Sequence, residues 1–176
     1  MSRRGFLARS VWLSAALGAG ALACGREEAG YETLVPVGET PAQLPLREYA
    51  VLRAVTDRIV PAGDAQPGAL ALGVPARIDR ELAFHSPRLR ADVTAALQLV
   101  EWWPLATQGS RFTRLGAAGQ DAVIADMAAS RLAVRRTAFQ GLKLLTVFFT
   151  YTQEPTWPGI GYEGPWVPRN RPVALG

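Results

Sequence analysis

Apolar positions recur every three or four residues along most of the chain, the period of a helix with one buried face. Starting at Leu46, the residues Tyr49, Leu52, Val55 and Ile59 fall on or near one side, which predicts a helix over 46–60 stopped by Pro61. A Gly/Pro/Ala loop follows, and Pro75 is placed to open a second helix with Ile78 and Leu82 as its apolar stripe. Ser86-Pro87 reads as an N-cap followed by a first-turn proline. Leu89, Val93, Ala96, Leu97 and Val100 then form one face up to Trp103, with Pro104 as the stop and a loop over 107–116. A fourth helix is expected over 117–130, with Val123, Ile124 and Met127 inward. The last, over 134–151, carries Phe139, Leu142, Leu144, Leu145, Val147, Phe148 and Phe149 around most of its circumference. Such a helix is either central in a bundle or covered by a partner. No alternating run joined by a hairpin turn occurs. The expected fold is all-α: about five helices around a single core, then an extended Gly/Pro/aromatic C-terminal tail.

Outside the periodic region the chain changes character. The first 24 residues begin Met1-Ser2-Arg3-Arg4-Gly5-Phe6-Leu7 and continue into an uncharged apolar run, Val11 to Ala23. Paired arginines at Arg3 and Arg4, followed by Phe6 and Leu7, resemble the consensus of twin-arginine export signals. The run has 13 residues, short of the roughly 20 needed to cross a bilayer as a helix. Cys24 closes it in Ala21-Leu22-Ala23-Cys24-Gly25, which resembles a lipobox with its leucine one place out of register. Cys24 is thus a lipidation candidate, and ordinary signal cleavage nearby is the alternative. If acylated it would hold the protein on a membrane face, at about 0.8 kcal/mol per buried CH₂. The organisation expected is a signal over 1–24, a polar linker over 25–44, a helical domain over 45–153 and the tail over 154–176. The localisation expected is periplasmic, with membrane anchoring if Cys24 carries lipid.

Charge narrows the partners. The 176 residues carry a formal net charge of +4, of which Arg3, Arg4 and Arg9 supply three in a leader without acids, so the remainder is near +1. That argues against nucleic acid as a partner, since a binding face needs clustered cations. One cysteine excludes an internal disulfide and a Cys-based zinc or iron–sulfur site, and one histidine excludes a His pair. The C-x-x-C-H pattern of covalent haem attachment, the G-x-S-x-G elbow and a strand-borne G-x-G-x-x-G are all absent. The chain therefore offers no catalytic, cofactor-binding or metal-binding set of its own.

The residues that remain are weighed individually. Asp57, Asp64 and Asp79 could form a carboxylate cluster, but an ion-paired corner with Arg58, Arg77 or Arg80 is the expectation. His85 precedes a helix cap and is expected on the surface. The tail is more informative: Trp157, Tyr162 and Trp166 stand among Pro155, Pro158, Pro165 and several glycines. Aromatic residues bury large areas, and prolines limit the freedom lost on docking. These three, with the adjacent pair Trp102-Trp103, are the candidate partner interface. The alternative for the tail is that it folds back over its own core.

The order of short motifs carries a resemblance. Leu46-Arg47-Glu48-Tyr49 leads to Asp57-Arg58-Ile59-Val60-Pro61, then Gly73-Val74-Pro75-Ala76-Arg77-Ile78-Asp79. Phe112-Thr113-Arg114-Leu115, Gln120, Ser130-Arg131-Leu132, Arg135-Arg136 and Trp157-Pro158-Gly159-Ile160-Gly161-Tyr162-Glu163-Gly164-Pro165 follow. With the leader, this resembles the gluconate 2-dehydrogenase subunit 3 family over most of 46–165. The resemblance implies a non-catalytic small subunit of an acceptor-dependent sugar or alcohol dehydrogenase. Its implied partners are an FAD-dependent large subunit of the glucose–methanol–choline type, a cytochrome c subunit in some complexes, and the twin-arginine translocase. FAD and haem would then belong to the partner subunits. The implied role is maturation and export of the large subunit. A free-standing exported lipoprotein with a structural or ligand-binding role is the alternative.

Overall fold

The structure, a computed structural model, describes residues 30–63 and 66–165. Two compact units divide at residue 39, the first ending at Glu39 and the second beginning at Thr40. Of the first, residues 30–39 are described; they hold one 3-10 turn, Glu32–Leu34, with the Thr33 hydroxyl donating to the Gly30 carbonyl. Among its described residues the second unit's regular elements are all helices. Its α-helices are α1 (Leu46–Ile59), α2 (Val74–Glu81), α3 (Pro87–Trp102), α4 (Pro104–Gln108), α5 (Ala117–Ala129) and α6 (Ala133–Tyr151). None is long and apolar enough to cross a membrane.

The core forms where the periodic positions converge. Tyr49, Leu52 and Val55 of α1 are buried, as are Ile78 of α2, Val93, Leu97 and Val100 of α3, Val123 and Met127 of α5, and Leu142 of α6. Helix α6 packs against α1, α2, α3 and α5 and ties the bundle together. Local chemistry sets the helix starts. Ser86 caps α3 by accepting from the Leu89 amide at 3.3 Å, with Pro87 in the first turn. Gly73, at φ 64°, supplies the left-handed residue from which α2 begins. In the loop before it, Gly68 runs so close to residue 62 that a Cβ would lie 2.4 Å from the Ala62 nitrogen.

Three details depart from the sequence reading. Pro104 does not end the helical path: Trp103 keeps helical angles and Pro104 opens the short α4, stopped by Gly109 at φ 66°. A proline in a first turn forfeits only an N–H that has no intrahelical partner. The expected loop over 107–116 therefore overlaps the end of α4 and also contains a 3-10 turn, Phe112–Arg114, that buries Phe112. Residues 42–44, read as linker, are held inside the helical unit, as the next section describes. The tail starts after α6, but its first part is wound into two 3-10 turns, Glu154–Thr156 and Pro158–Ile160, before residues 162–165 run without a regular element.

Candidate partner interface

The three aspartates of the supposed acidic corner do not share a task. Asp79, 1% exposed, aims both carboxylate oxygens at the backbone preceding α1. Its Oδ1 accepts from the amides of Gln43 at 3.1 Å and Leu44 at 2.7 Å, and its Oδ2 accepts from Ala42. The side chain is a clamp across 35 residues of sequence, in place of the expected pairing with Arg77 or Arg80. Asp57 does pair with Arg58, whose other guanidinium nitrogen lies 3.9 Å from Asp121 of α5. The Asp57 hydrogen bond raises the Arg58 pKa above its ordinary value, against the opposing effect of burial, with the Asp57 and Asp121 charges adding to the rise. Asp64 lies outside the described residues. Among those described, no group of three or more His, Cys, Asp and Glu side chains could hold a metal ion. His85 lies 3.8 Å from Glu81, and both side chains are nearly half exposed.

The tryptophan pair is held by arginines. Trp102 is half-buried, with the guanidinium carbons of Arg47 and Arg111 at 5.8 and 5.6 Å from its ring centroid. Arg47 also binds the buried Glu48 at 2.7 Å, and Glu48 accepts from Gln98 at 2.9 Å. Trp103, 100° further round the helix, lies under Arg135 at 4.2 Å. Arg135 is 4% exposed and also bonds Ser130 and Asp126. Each indole thus spends much of its surface on contacts within the chain. Glu101 of α3, 1% exposed, accepts from the Thr113 amide and hydroxyl; like the buried Glu48 and Arg135 it was not singled out as a functional group in the sequence, because nothing local marks these charges as buried.

The tail aromatics form a corner of their own. The rings of Trp157 and Tyr162 meet edge to face, centroids 5.1 Å apart and planes at 78°. The Trp157 indole N–H donates to the Tyr151 carbonyl at 3.2 Å, which anchors the corner to the end of α6. Trp166, Cys24 and the signal residues Arg3, Arg4, Phe6 and Leu7 lie outside the described residues.

A further surface was legible only as a pair of alternatives. Helix α6 is apolar nearly all round, yet its inward face buries Leu142 with Thr146 and Thr150, whose hydroxyls bond the carbonyls four residues back at 2.7 Å. Its outward face presents Val134, Thr137, Gly141, Leu144 and Phe148, all exposed, at spacings of three and four residues. Leu144 is 68% and Phe148 57% exposed. Gly141 lies midway, and a Cβ there would meet nothing within 4 Å. A seam with this spacing is what one helix offers another.

The described residues thus form a helical bundle that leaves Val134, Leu144 and Phe148 of α6 exposed. The sequence model of the family described as gluconate 2-dehydrogenase subunit 3 matches residues 47–164, and the chain belongs to that family. Membership associates it with the small subunits of a gluconate dehydrogenase complex. No curated protein and no solved structure gives a match.

Proposed function

We propose that this chain is the non-catalytic small subunit of a periplasmic or membrane-associated FAD-dependent sugar or alcohol dehydrogenase, and that it docks its large subunit along the outward seam of α6. The exposed Val134–Phe148 seam carries this reading, because a monomer gains nothing from leaving Leu144 and Phe148 in water. At about 25 cal/mol per Å² of apolar surface, covering such side chains is the driving force of association. Gly141 lets a partner backbone approach at the centre of the seam.

The leader supplies the second half of the role. A twin-arginine signal at Arg3 and Arg4 would bring a folded, signal-less flavoprotein through the translocase while this chain holds it. In this arrangement FAD, and haem where a cytochrome c subunit is present, belong to the other subunits. Cys24 would keep the assembly at the membrane if acylated. The decisive experiment co-expresses both chains with Arg3 and Arg4 replaced by lysine and assays dehydrogenase activity in the periplasm. Loss of periplasmic activity with the large subunit retained inside the cell supports the role. Normal periplasmic activity refutes it.

A further inference from the structure

Between α2 and α3 the chain turns a corner that faces solvent throughout: residues 83–89 are all exposed. Phe84 stands in it at 82% exposure, more than Leu144 or Phe148 of the α6 seam. A ring left so far in water buries a large apolar area once something covers it. Its neighbours along both helices are arginines. We propose that this corner inserts Phe84 into the surface of a bilayer containing anionic phospholipid, with the arginines on the phosphate layer behind the ring.

The corner is braced before it meets a membrane. Leu82, 2% exposed, anchors it in the core. The Leu82 carbonyl accepts from the Arg90 guanidinium at 3.2 Å and from the His85 amide at 3.4 Å. Just beyond, the Ser86 cap fixes the start of α3. A 3-10 turn, Leu82–Phe84, carries the ring outward. Insertion therefore costs little ordering of the backbone.

Charge identifies the occupant. Arg77, Arg80 and Arg88 are exposed, and none of the three is ion-paired among the described residues. Over 77–92 four arginines stand against Asp79, Glu81 and Asp92. Asp79 is buried in its clamp, and Glu81 faces His85 at 3.8 Å. At a rise of 1.5 Å per residue, Arg80 and Arg77 lie about 6 and about 10 Å behind Phe84 along α2. Interfacial elements bury their apolar side to about 5–10 Å, the boundary of headgroups and acyl chains. A ring at that boundary leaves the guanidinium groups level with the phosphates, which they bind as charge-assisted donors on long stems. A protein pocket would have to match the corner's shape. A bilayer needs only this order of apolar tip and cationic collar, and the sign of the collar selects anionic lipid. None of these residues belongs to the α6 seam, so the corner acts independently of docking there.

The test places an environment-sensitive nitrobenzoxadiazole label at A83C in the full chain, with C24S leaving a single thiol. Vesicles of equal parts phosphatidylglycerol and phosphatidylcholine are added. The same label at A125C, an exposed position of α5, controls for adsorption through other parts of the chain, the apolar leader included. The label at residue 83 should shift to the blue and be quenched by nitroxide lipids, while the label at residue 125 stays in water. F84S should abolish the shift. R80Q/R88Q should lower the inserted population about tenfold or more, as should vesicles of phosphatidylcholine alone. Raising the salt concentration should lower it too. Phe84, Arg80 and Arg88 are all exposed, so these variants keep the fold, which urea unfolding checks. An unshifted label at residue 83 on the anionic vesicles overturns the proposal. So does an equal shift at residue 125, an equal shift on phosphatidylcholine alone, or a shift that survives F84S. A shift that appears only when the proposed flavoprotein subunit is added makes the corner a protein contact and overturns it as well.

Discussion

Replacing Asp79 by alanine should cost the helical unit about 2–5 kcal/mol, although the residue touches no other charge. The figure follows from what its carboxylate does. Three amide donors, those of Ala42, Gln43 and Leu44, end on it. The Leu44 bond is buried, so its donor would be stranded at the full desolvation penalty of about 1–3 kcal/mol. The Ala42 and Gln43 bonds are part-buried, and water can partly replace the acceptor, which leaves about 0.5–1 kcal/mol each. Asp79→Asn keeps an oxygen for Gln43 and Leu44 but turns an NH₂ toward Ala42, so the loss should be about 1–2 kcal/mol. Asp57→Ala, which removes a partly exposed pair with Arg58, should cost under about 1 kcal/mol. The assay is urea unfolding followed by tryptophan fluorescence, with the order Asp79→Ala, Asp79→Asn, Asp57→Ala in decreasing loss. A loss below 1 kcal/mol for Asp79→Ala, or one no larger than for Asp57→Ala, would refute the clamp. A loss of the predicted size matters against a total stability of only about 5–15 kcal/mol.

Other substitutions test separate parts of the fold. Arg135→Lys should lose about 1–2 kcal/mol by the same unfolding assay, since an ammonium cannot stack on Trp103 and still reach both Ser130 and Asp126. Gly68→Ala should destabilise by more than about 2 kcal/mol, because its Cβ would collide with rigid backbone at Ala62. Gly141→Ala should do the opposite in the isolated chain and raise stability by about 0.5–1 kcal/mol, its methyl entering open space in mid-helix. The same variant should weaken association with the proposed large subunit, which is measured by titration calorimetry. Improved stability with unchanged affinity would place the contact elsewhere. The ion pair at Arg58 adds no pH dependence near neutrality: while Asp57 is charged, the raised Arg58 pKa stabilises the fold below the ordinary arginine range, and that contribution is lost as pH rises through the folded value.

The helices were readable where the determinants are local. Ser86-Pro87 marks the start of α3, Pro75 sits in the first turn of α2, and the three- and four-residue spacing of Leu52, Val55 and Ile59 marks α1. Pro104 misled because a proline is equally at home just after one helix and in the first turn of another. Asp79 could not be assigned its partners, since they lie at 42–44 and only the packing of α2 beside α1 brings them near. Trp102 and Trp103 point in different directions, and the arginines that meet them come from α1, α6 and the turn before Phe112. For α6, composition alone left two alternatives, a central helix or a covered one. The exposure of Leu144 and Phe148 became visible only once four other helices were in place on its opposite side.

The seam itself is tested most directly by measuring the affinity of the purified chain for the proposed flavoprotein subunit, native against L144E/F148E. Both side chains are more than half exposed, so the variant should fold with stability within about 0.5 kcal/mol of the native chain. A fall in affinity of about 100-fold or more is expected when two carboxylates enter an apolar contact. Native-like affinity for the folded variant would contradict the claim that this subunit works by lending α6 to its partner.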